Sequence, residues 1–202
     1  MARILVLYGS YRRDRTGIRL ADWLVTQLAG RGHDAELVDA KAVGLPILDR
    51  MFKEYGPGEA PEAMAALAEK IRAADGFVFV TGEYNRGVQP GLKNLTDHFL
   101  EEWFWRPAAI ASYSAGRLAG TRANMAWRPI LSEMGMAVIA SELLVGPIGK
   151  TLDADGALVG EAGAALESAS LGARGRPVPP GVVTHEGDVL AGDRGQIPET
   201  LA

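Results

Sequence analysis

Nine residues near the start of the chain, GSYRRDRTG at positions 9 to 17, combine hydroxyl groups, guanidinium groups and glycines in one short connection. The connection joins an apolar run to a segment of helical periodicity. Its main-chain N–H groups would therefore lie at a helix N-terminus, where an anion is favoured. Hydroxyl and charge-assisted hydrogen bonds can strengthen such a site, and glycine permits close approach of the backbone. The candidate anion ligands are Ser10, Arg12, Arg15, Thr16 and Gly17.

The same loop excludes two common nucleotide motifs. It lacks the lysine of GxxxxGK[ST] and the GxGxxG pattern, which disfavours a nucleoside triphosphatase and a dinucleotide site. A single phosphate monoester fits these residue types better. The alternative is an arginine-rich surface loop in which Thr16 caps the following helix.

Two further loops could take part in binding, because each follows an apolar run of strand length. TGEYNRGVQPG, at 81 to 91, is rich in glycine and offers main-chain donors and acceptors beside the flat face of Tyr84. YSAGRLAG, at 113 to 120, has small residues that leave room for a flat ring ahead of another helix. The alternative for each loop is an ordinary turn-rich connection, with Tyr84 covering the core.

The elements around these loops predict an α/β fold. Apolar runs alternate with helix-period segments, which predicts a mostly parallel sheet with helices on both faces and ligands bound beyond the carboxyl ends of the strands. A kink or a delayed start is expected at Pro129 in the fourth helix. The predicted strands are 3–8, 34–40, 76–81, 106–114 and 136–141. The predicted helices are 18–28, 61–75, 90–102, 120–135 and 161–169.

The composition limits the class of protein. The 202 residues carry a formal net charge of −4, which argues against a nucleic-acid-coating protein. There are no cysteines, the histidines show no ligand spacing that would indicate a metal site, and no apolar run approaches membrane-spanning length. We expect a cytoplasmic protein with one domain over residues 1–170 and a Gly- and Pro-rich tail over residues 171–202.

Together the three loops resemble the NADPH-dependent FMN reductase family, a flavodoxin-like group that includes quinone, azo-dye and chromate reductases. GSYRRDRTG matches the family form G-S-x-R-x-x-S/T, and GEYNRGVQPGLKN is similar to P-E-Y-N-x-x-x-P-G-x-L-K-N. SAGRLAG matches a Ser-Gly-Gly type turn more loosely. The resemblance covers about residues 1 to 150. It implies a doubly wound five-stranded parallel sheet in the order 2-1-3-4-5, bound FMN, and assembly as a homodimer or homotetramer.

The resemblance also implies roles for individual residues. The first loop would hold the FMN phosphate, the second would line the flavin ring largely through backbone atoms, and the third would close the far side. Departures from the family are Gly82 at a frequent proline, Arg86 at a small residue, Ala115 at a glycine, and a tail in place of the final amphipathic helix. The ring-binding candidates are Gly82, Glu83, Tyr84, Asn85, Arg86, Ser114, Ala115 and Gly116.

The function implied by the resemblance is hydride transfer from NADPH, or NADH, through FMN to a small acceptor such as a quinone, azo compound or flavin. No side chain need act as acid or base, because the cofactor carries the chemistry. Arg12, Arg13 or Arg86 could pair with the extra phosphate of NADPH. The alternatives are a flavodoxin-type electron carrier without its own hydride donor, and a flavin-free binding protein on the same fold.

Overall fold

The computed structural model describes residues 1–170, so the predicted tail at 171–202 lies outside the described residues. Five parallel strands form one sheet in the order β2-β1-β3-β4-β5, which confirms the predicted fold and strand order. The order reverses between β1 and β3, so this edge of the sheet is the expected place for a ligand. The strands are β1 (Arg3–Tyr8), β2 (Asp34–Asp39), β3 (Gly76–Gly82), β4 (Pro107–Tyr113) and β5 (Ala137–Val145).

Within the part of the chain that the structure describes, six α-helices cover both faces of this sheet. One apolar cluster unites α1 and α6 with one face, and a second unites α3, α4 and α5 with the other. Leu166 of α6 is fully buried. Helix α6 therefore covers the first face and matches the helix predicted at 161–169, whereas the tail expected in place of the family's final helix lies outside the described residues. The helices are α1 (Ile18–Gly30), α2 (Ala40–Val43), α3 (Glu62–Ala73), α4 (Pro90–Asp97), α5 (Thr121–Glu133) and α6 (Gly160–Ser170).

Two helices differ in detail from their predictions. The third predicted helix, 90–102, ends at Asp97, and a separate 3₁₀ turn follows at Glu101–Trp103. The chain turns here because Trp103 is fully buried and its indole N–H donates to the Thr96 carbonyl at 3.1 Å. Helix α5 begins at Thr121 and continues past Pro129, so the proline does not delay its start.

The strand register brings the three candidate loops to one edge. Tyr8, at the end of β1, pairs with Val80 of β3, and Gly82, at the end of β3, pairs with Tyr113 of β4. The loops that follow these strands therefore leave the sheet side by side. Among residues 1–170 there is no helix whose length and apolar character would let it cross a membrane.

Candidate functional site

The first loop ends in an open helix N-terminus. Gly17 is the N-cap of α1, with φ −70° and ψ −13°, and no side chain of the described residues caps it or places an acid in the first turn. Within residues 1–170, the main-chain N–H groups of residues 13 to 17 donate no hydrogen bond. Thr16 is exposed and is not the cap, which disfavours the purely structural interpretation of this loop. Five free donors at a 13-residue helix form a site that favours an anion.

The arginines of this loop differ in their surroundings. Arg15 donates to the Asp39 carboxylate at 2.5 Å, and its guanidinium lies 5.8 Å from the Tyr8 ring centroid. The carboxylate raises the pKa of Arg15 further and balances its charge. Arg12 and Arg13 are exposed and form no ion pair within the described part of the chain. Arg12 and Arg13 are therefore free to meet an incoming anion, whereas Arg15 would have to share Asp39.

The second loop is a tight turn with an unusual backbone. Tyr84 and Gly87 exchange two main-chain hydrogen bonds, of 3.0 and 2.8 Å. The two central residues, Asn85 and Arg86, have φ values of +48° and +69°. Positive φ at both central positions is the type I′ pattern, which usually takes Asn followed by Gly. Arg86 therefore occupies a left-handed conformation that costs an L side chain about 1–2 kcal/mol.

Side chains tie this turn to both neighbouring loops. The Glu83 carboxylate accepts from the main-chain N–H of Arg122 at 3.3 Å and forms an ion pair with the guanidinium at 3.2 Å. The Glu83 side chain thus satisfies the start of α5, which leaves the backbone of Glu83 for the ring-lining role predicted for this loop. The Tyr84 hydroxyl lies 3.2 Å from the buried Ser10 hydroxyl, which links the second loop to the first.

The third loop is exposed and closely packed against β5 at its base. The Ser114 hydroxyl donates to the Gly116 carbonyl at 2.8 Å, and its main-chain N–H donates to Val145 at 3.2 Å. The exposed residues Ala115 and Gly116 follow. Within residues 1–170, the N–H groups of residues 115 to 118 donate no hydrogen bond, so this loop also presents free donors.

The sequence analysis missed three polar residues beneath the loops. Gln89 donates through Nε2 to the Tyr113 hydroxyl at 2.8 Å, and the Tyr113 and Tyr8 hydroxyls lie 3.3 Å apart. All three side chains are buried, and burial raises the pKa of both phenols. Tyr8 ends β1 and Tyr113 ends β4, the two parallel strands on either side of β3. A tyrosine at the end of both was the available signal, because the carboxyl ends of parallel strands lie at the same edge of the sheet.

A concave region adjoins the start of α1. It has a volume of about 550 Å³ and is bounded by residues 14–16 of the first loop, by α1 and by residues 154–156, but not by the second and third loops. Asp14, Asp22 and Asp155 alternate there with Arg15 and Arg19. This mixed charge favours neither anions nor cations, so the expectation of an anion at this end of α1 rests on the free N–H groups of the first loop and not on the side chains that line the cavity.

Comparison of the sequence with known proteins shows which family this chain resembles. Residues 2–149 match the NADPH-dependent FMN reductase family. An NAD(P)H-dependent FMN reductase from Nectria sp is 31% identical over 135 residues, covering 61% of this chain and 64% of that protein, less than two thirds of its length. A 2-hydroxy-1,4-benzoquinone reductase from Burkholderia sp is 30% identical over 165 residues, covering 79% of this chain and 86% of that protein.

A solved structure supports the same fold. FerB, a flavoenzyme NAD(P)H:(acceptor) oxidoreductase from Paracoccus denitrificans, superposes with a TM-score of 0.65 and 23% identity, over 84% of this chain and 93% of that one. The family match extends from β1 through all three loops that meet at the carboxyl edge of the sheet. The chain therefore belongs to the NADPH-dependent FMN reductase family.

Proposed function

We propose that this chain is an FMN-dependent NAD(P)H oxidoreductase that passes hydride from NADPH to a small acceptor such as a quinone, an azo compound or a flavin. The observation that carries the proposal is the uncapped N-terminus of α1, with its run of free N–H groups, at the point where the strand order reverses. The family uses FMN with NAD(P)H as electron donor. The two alternatives lack a comparable supporting observation.

The first loop fits the phosphate of FMN. The main-chain N–H groups of residues 13 to 17 donate no hydrogen bond within residues 1–170, and no side chain of that range caps the helix they precede. A dianionic phosphate would satisfy them and would gain from the helix dipole. The residues proposed to hold it are Ser10, Arg12, Arg15, Thr16 and Gly17.

The second and third loops fit a flat polar ring. Within the described chain, the main-chain N–H groups of Asn85 and Arg86 donate no hydrogen bond, and those of residues 115 to 118 are equally free. These donors can bind electronegative ring atoms and stabilise negative charge that develops there. The half-buried Tyr84 lies between them and Ser10. The residues proposed to line the ring are Gly82, Glu83, Tyr84, Asn85, Arg86, Ser114, Ala115 and Gly116.

The chemistry divides between cofactor and protein. When bound, FMN supplies the hydride-accepting and hydride-donating centre, so no side chain is needed as acid or base. The protein contributes placement: the turn is fixed by its paired hydrogen bonds, and Glu83 fixes its distance from α5. Arg12, Arg13 and Arg86 are exposed, and their guanidinium groups can select the extra phosphate of NADPH over NADH.

We also propose that two copies associate beside this site, as a homodimer or a pair of dimers. Asn94 of α4 holds the 46–48 segment by accepting from the Leu48 N–H at 2.9 Å and donating to the Pro46 carbonyl at 2.7 Å. Ile47, between these contacts, is 83% exposed. A held segment that presents an apolar side chain suits a protein contact.

NADPH is an intracellular reductant, so we place the activity in the cytoplasm.

Absorption spectroscopy of the purified protein tests the proposal. We expect a yellow protein, or one that turns yellow when FMN is added and unbound flavin removed, and that bleaches with NADPH under anaerobic conditions. Yellow colour without bleaching would indicate the electron carrier. A protein that stays colourless with excess FMN would reject flavin binding altogether.

A further inference from the structure

Tyr11, in the first loop, presents a fixed aromatic ring to solvent. Its hydroxyl donates at 2.7 Å to the main-chain carbonyl of Ala40, the first residue of α2. One edge of the ring packs on the start of α4, where a Cβ at Gly91 would lie 2.4 Å from Cδ2 and 2.6 Å from Cε2. The side chain is nevertheless 45% exposed. Tyr11 is therefore held by its hydroxyl and by one edge while the rest of its ring stays open.

The open part of this ring has no stacking partner in the part of the chain that the structure describes. The guanidinium of Arg15 lies 5.8 Å from the ring centroid of Tyr8, but within residues 1–170 neither a guanidinium nor another ring stacks on Tyr11. Trp105 is also exposed, but it precedes β4 and so lies at the opposite edge of the sheet. Tyr11 is therefore an unstacked, exposed aromatic ring on the side of the candidate site.

Three cations are adjacent to these contacts in the chain. Arg12 and Arg13 follow Tyr11, and Lys41 follows Ala40, whose carbonyl accepts from the Tyr11 hydroxyl. All three are exposed, and none forms an ion pair within the described residues. An open aromatic face can stack a nucleic-acid base, and guanidinium and ammonium groups bind phosphates. This combination of groups is suited to a nucleotide.

We propose that Tyr11 stacks the adenine ring of the nicotinamide dinucleotide and that Arg12, Arg13 and Lys41 lie near its phosphates. The inference rests on the proposed function, in which NADPH reduces bound FMN. The nicotinamide must then lie over the flavin ring, which the second and third loops are proposed to line. Tyr11 lies in the first loop, at the phosphate end of FMN. The adenosine half extends beyond the flavin ring and is therefore the part of the dinucleotide that can reach Tyr11.

Two variants separate the ring from its hydrogen bond. Tyr11→Leu removes the ring, and because stacking of a base on an aromatic side chain contributes about tenfold in affinity, the dissociation constants of NADPH and NADH should each rise about tenfold. The two losses should be equal, because both dinucleotides carry adenine. Tyr11→Phe keeps the ring and loses only the bond to Ala40, so its constants should stay within about threefold of the starting protein. A loosened loop would instead weaken binding in both variants.

Anaerobic stopped-flow reduction of the FMN-loaded protein measures these constants without an acceptor. Reduced nicotinamide mononucleotide has the nicotinamide but no adenine, so Tyr11→Leu should change its dissociation constant by less than about twofold. Phospho-ADP-ribose has the adenosine half of NADPH but no nicotinamide, and its calorimetric titration should show the same loss of about tenfold without redox chemistry. Trp105→Leu is the matched control, because it removes an exposed ring at the opposite edge, and it should leave all of these constants unaltered.

The outcomes distinguish this inference from the proposed function. Unchanged dinucleotide binding in Tyr11→Leu would overturn the adenine role, and so would equal weakening of NADPH and the mononucleotide, which would place Tyr11 beside the nicotinamide. A fluorescence titration of FMN into the flavin-free Tyr11→Leu protein should match the starting protein, because a loss there would make Tyr11 a flavin ligand instead. If the starting protein binds FMN but neither donor bleaches it, the proposed function is wrong and the dinucleotide site falls with it.

Discussion

Replacing Gly17 with alanine should disturb the packing of the first loop against the sheet. A Cβ at this position would lie less than 3.0 Å from the Tyr113 ring atoms Cζ, Cε1 and Oη, separations that real Cβ atoms essentially never show. The backbone itself accepts alanine, because φ is −70° and ψ is −13°. The penalty of Gly17→Ala is therefore steric, and the ring that must move is buried and bonded to Gln89.

Two contributions determine how much unfolding free energy Gly17→Ala loses. Overpacking a well-packed region costs about 1–3 kcal/mol. Alanine is also a poorer N-cap than glycine, which adds about 0.5–1 kcal/mol. We expect Gly17→Ala to lower the free energy of unfolding by about 1.5–4 kcal/mol, a drop of roughly 3–16 °C in Tm for a chain of this size. FMN affinity should fall as well, because the displaced loop carries the free N–H groups.

Urea unfolding of the flavin-free protein measures this change without interference from the ligand. Gly30→Ala, at the other end of α1, is the matched control, because a Cβ there meets nothing within 4 Å. This control should stabilise the protein by about 0.5–1 kcal/mol through helix propensity alone. If Gly17→Ala unfolds at the same urea concentration as Gly30→Ala, Tyr113 does not pack under the first loop as described.

Three further outcomes follow from the structure. Arg86→Ala should lower the preference for NADPH over NADH without changing stability. Arg86→Gly should lower the same preference and also stabilise the fold by about 1 kcal/mol, because glycine relieves the left-handed strain. Unaltered kinetics with both dinucleotides would contradict the charge role of Arg86. Stability should fall as the pH rises above about 10, because the pKa of Tyr113 is raised in the folded state and the unfolded chain loses its proton first. Measured by urea unfolding above this pH, Tyr113→Phe should make the fall in unfolding free energy shallower by about 1.4 kcal/mol per pH unit. Equal slopes in the variant and the starting protein would contradict the raised pKa of Tyr113. Thr81→Val should lower the free energy of unfolding by about 1–3 kcal/mol, because the buried indole N–H of Trp127 loses the hydroxyl that accepts its hydrogen bond at 3.0 Å. An unchanged free energy of unfolding would mean that the indole N–H has another acceptor.

Strand β3 was the most predictable, because its apolar run is buried on both faces. β3 is buried along its whole length, which matches the unbroken apolar run at 76–81. The end of α4 was not predictable, because it depends on the indole of Trp103 reaching back to Thr96. The sequence EEWFW also does not distinguish Trp103, fully buried, from Trp105, which is 87% exposed with φ +64°.

In the candidate site, too, some features were predictable from the sequence and others depended on the fold. The free donors of the first loop follow from a glycine-containing connection between a strand and a helix, and the structure places them there. The engagement of Arg15 with Asp39 required the end of β2 to lie beside β1, and that of Glu83 required the start of α5 to lie beside the second loop. Residue type predicted Arg15 as an anion ligand and the family resemblance predicted Glu83 beside the ring. Neither indicated these ion pairs, because the partners are distant in sequence.

Local pattern by itself determined the αβ alternation, the strand-end loops and the anion-favouring start of α1, because each depends on residues close together in the chain. Tertiary structure alone decided which polar groups meet beneath those loops. Gln89, Tyr113 and Tyr8 are separated by 24 and 105 residues along the chain, yet the parallel register brings their hydrogen-bonding atoms within 3.3 Å. Contacts of this kind depend on the register of distant strands, so residue types close together in the chain do not specify them.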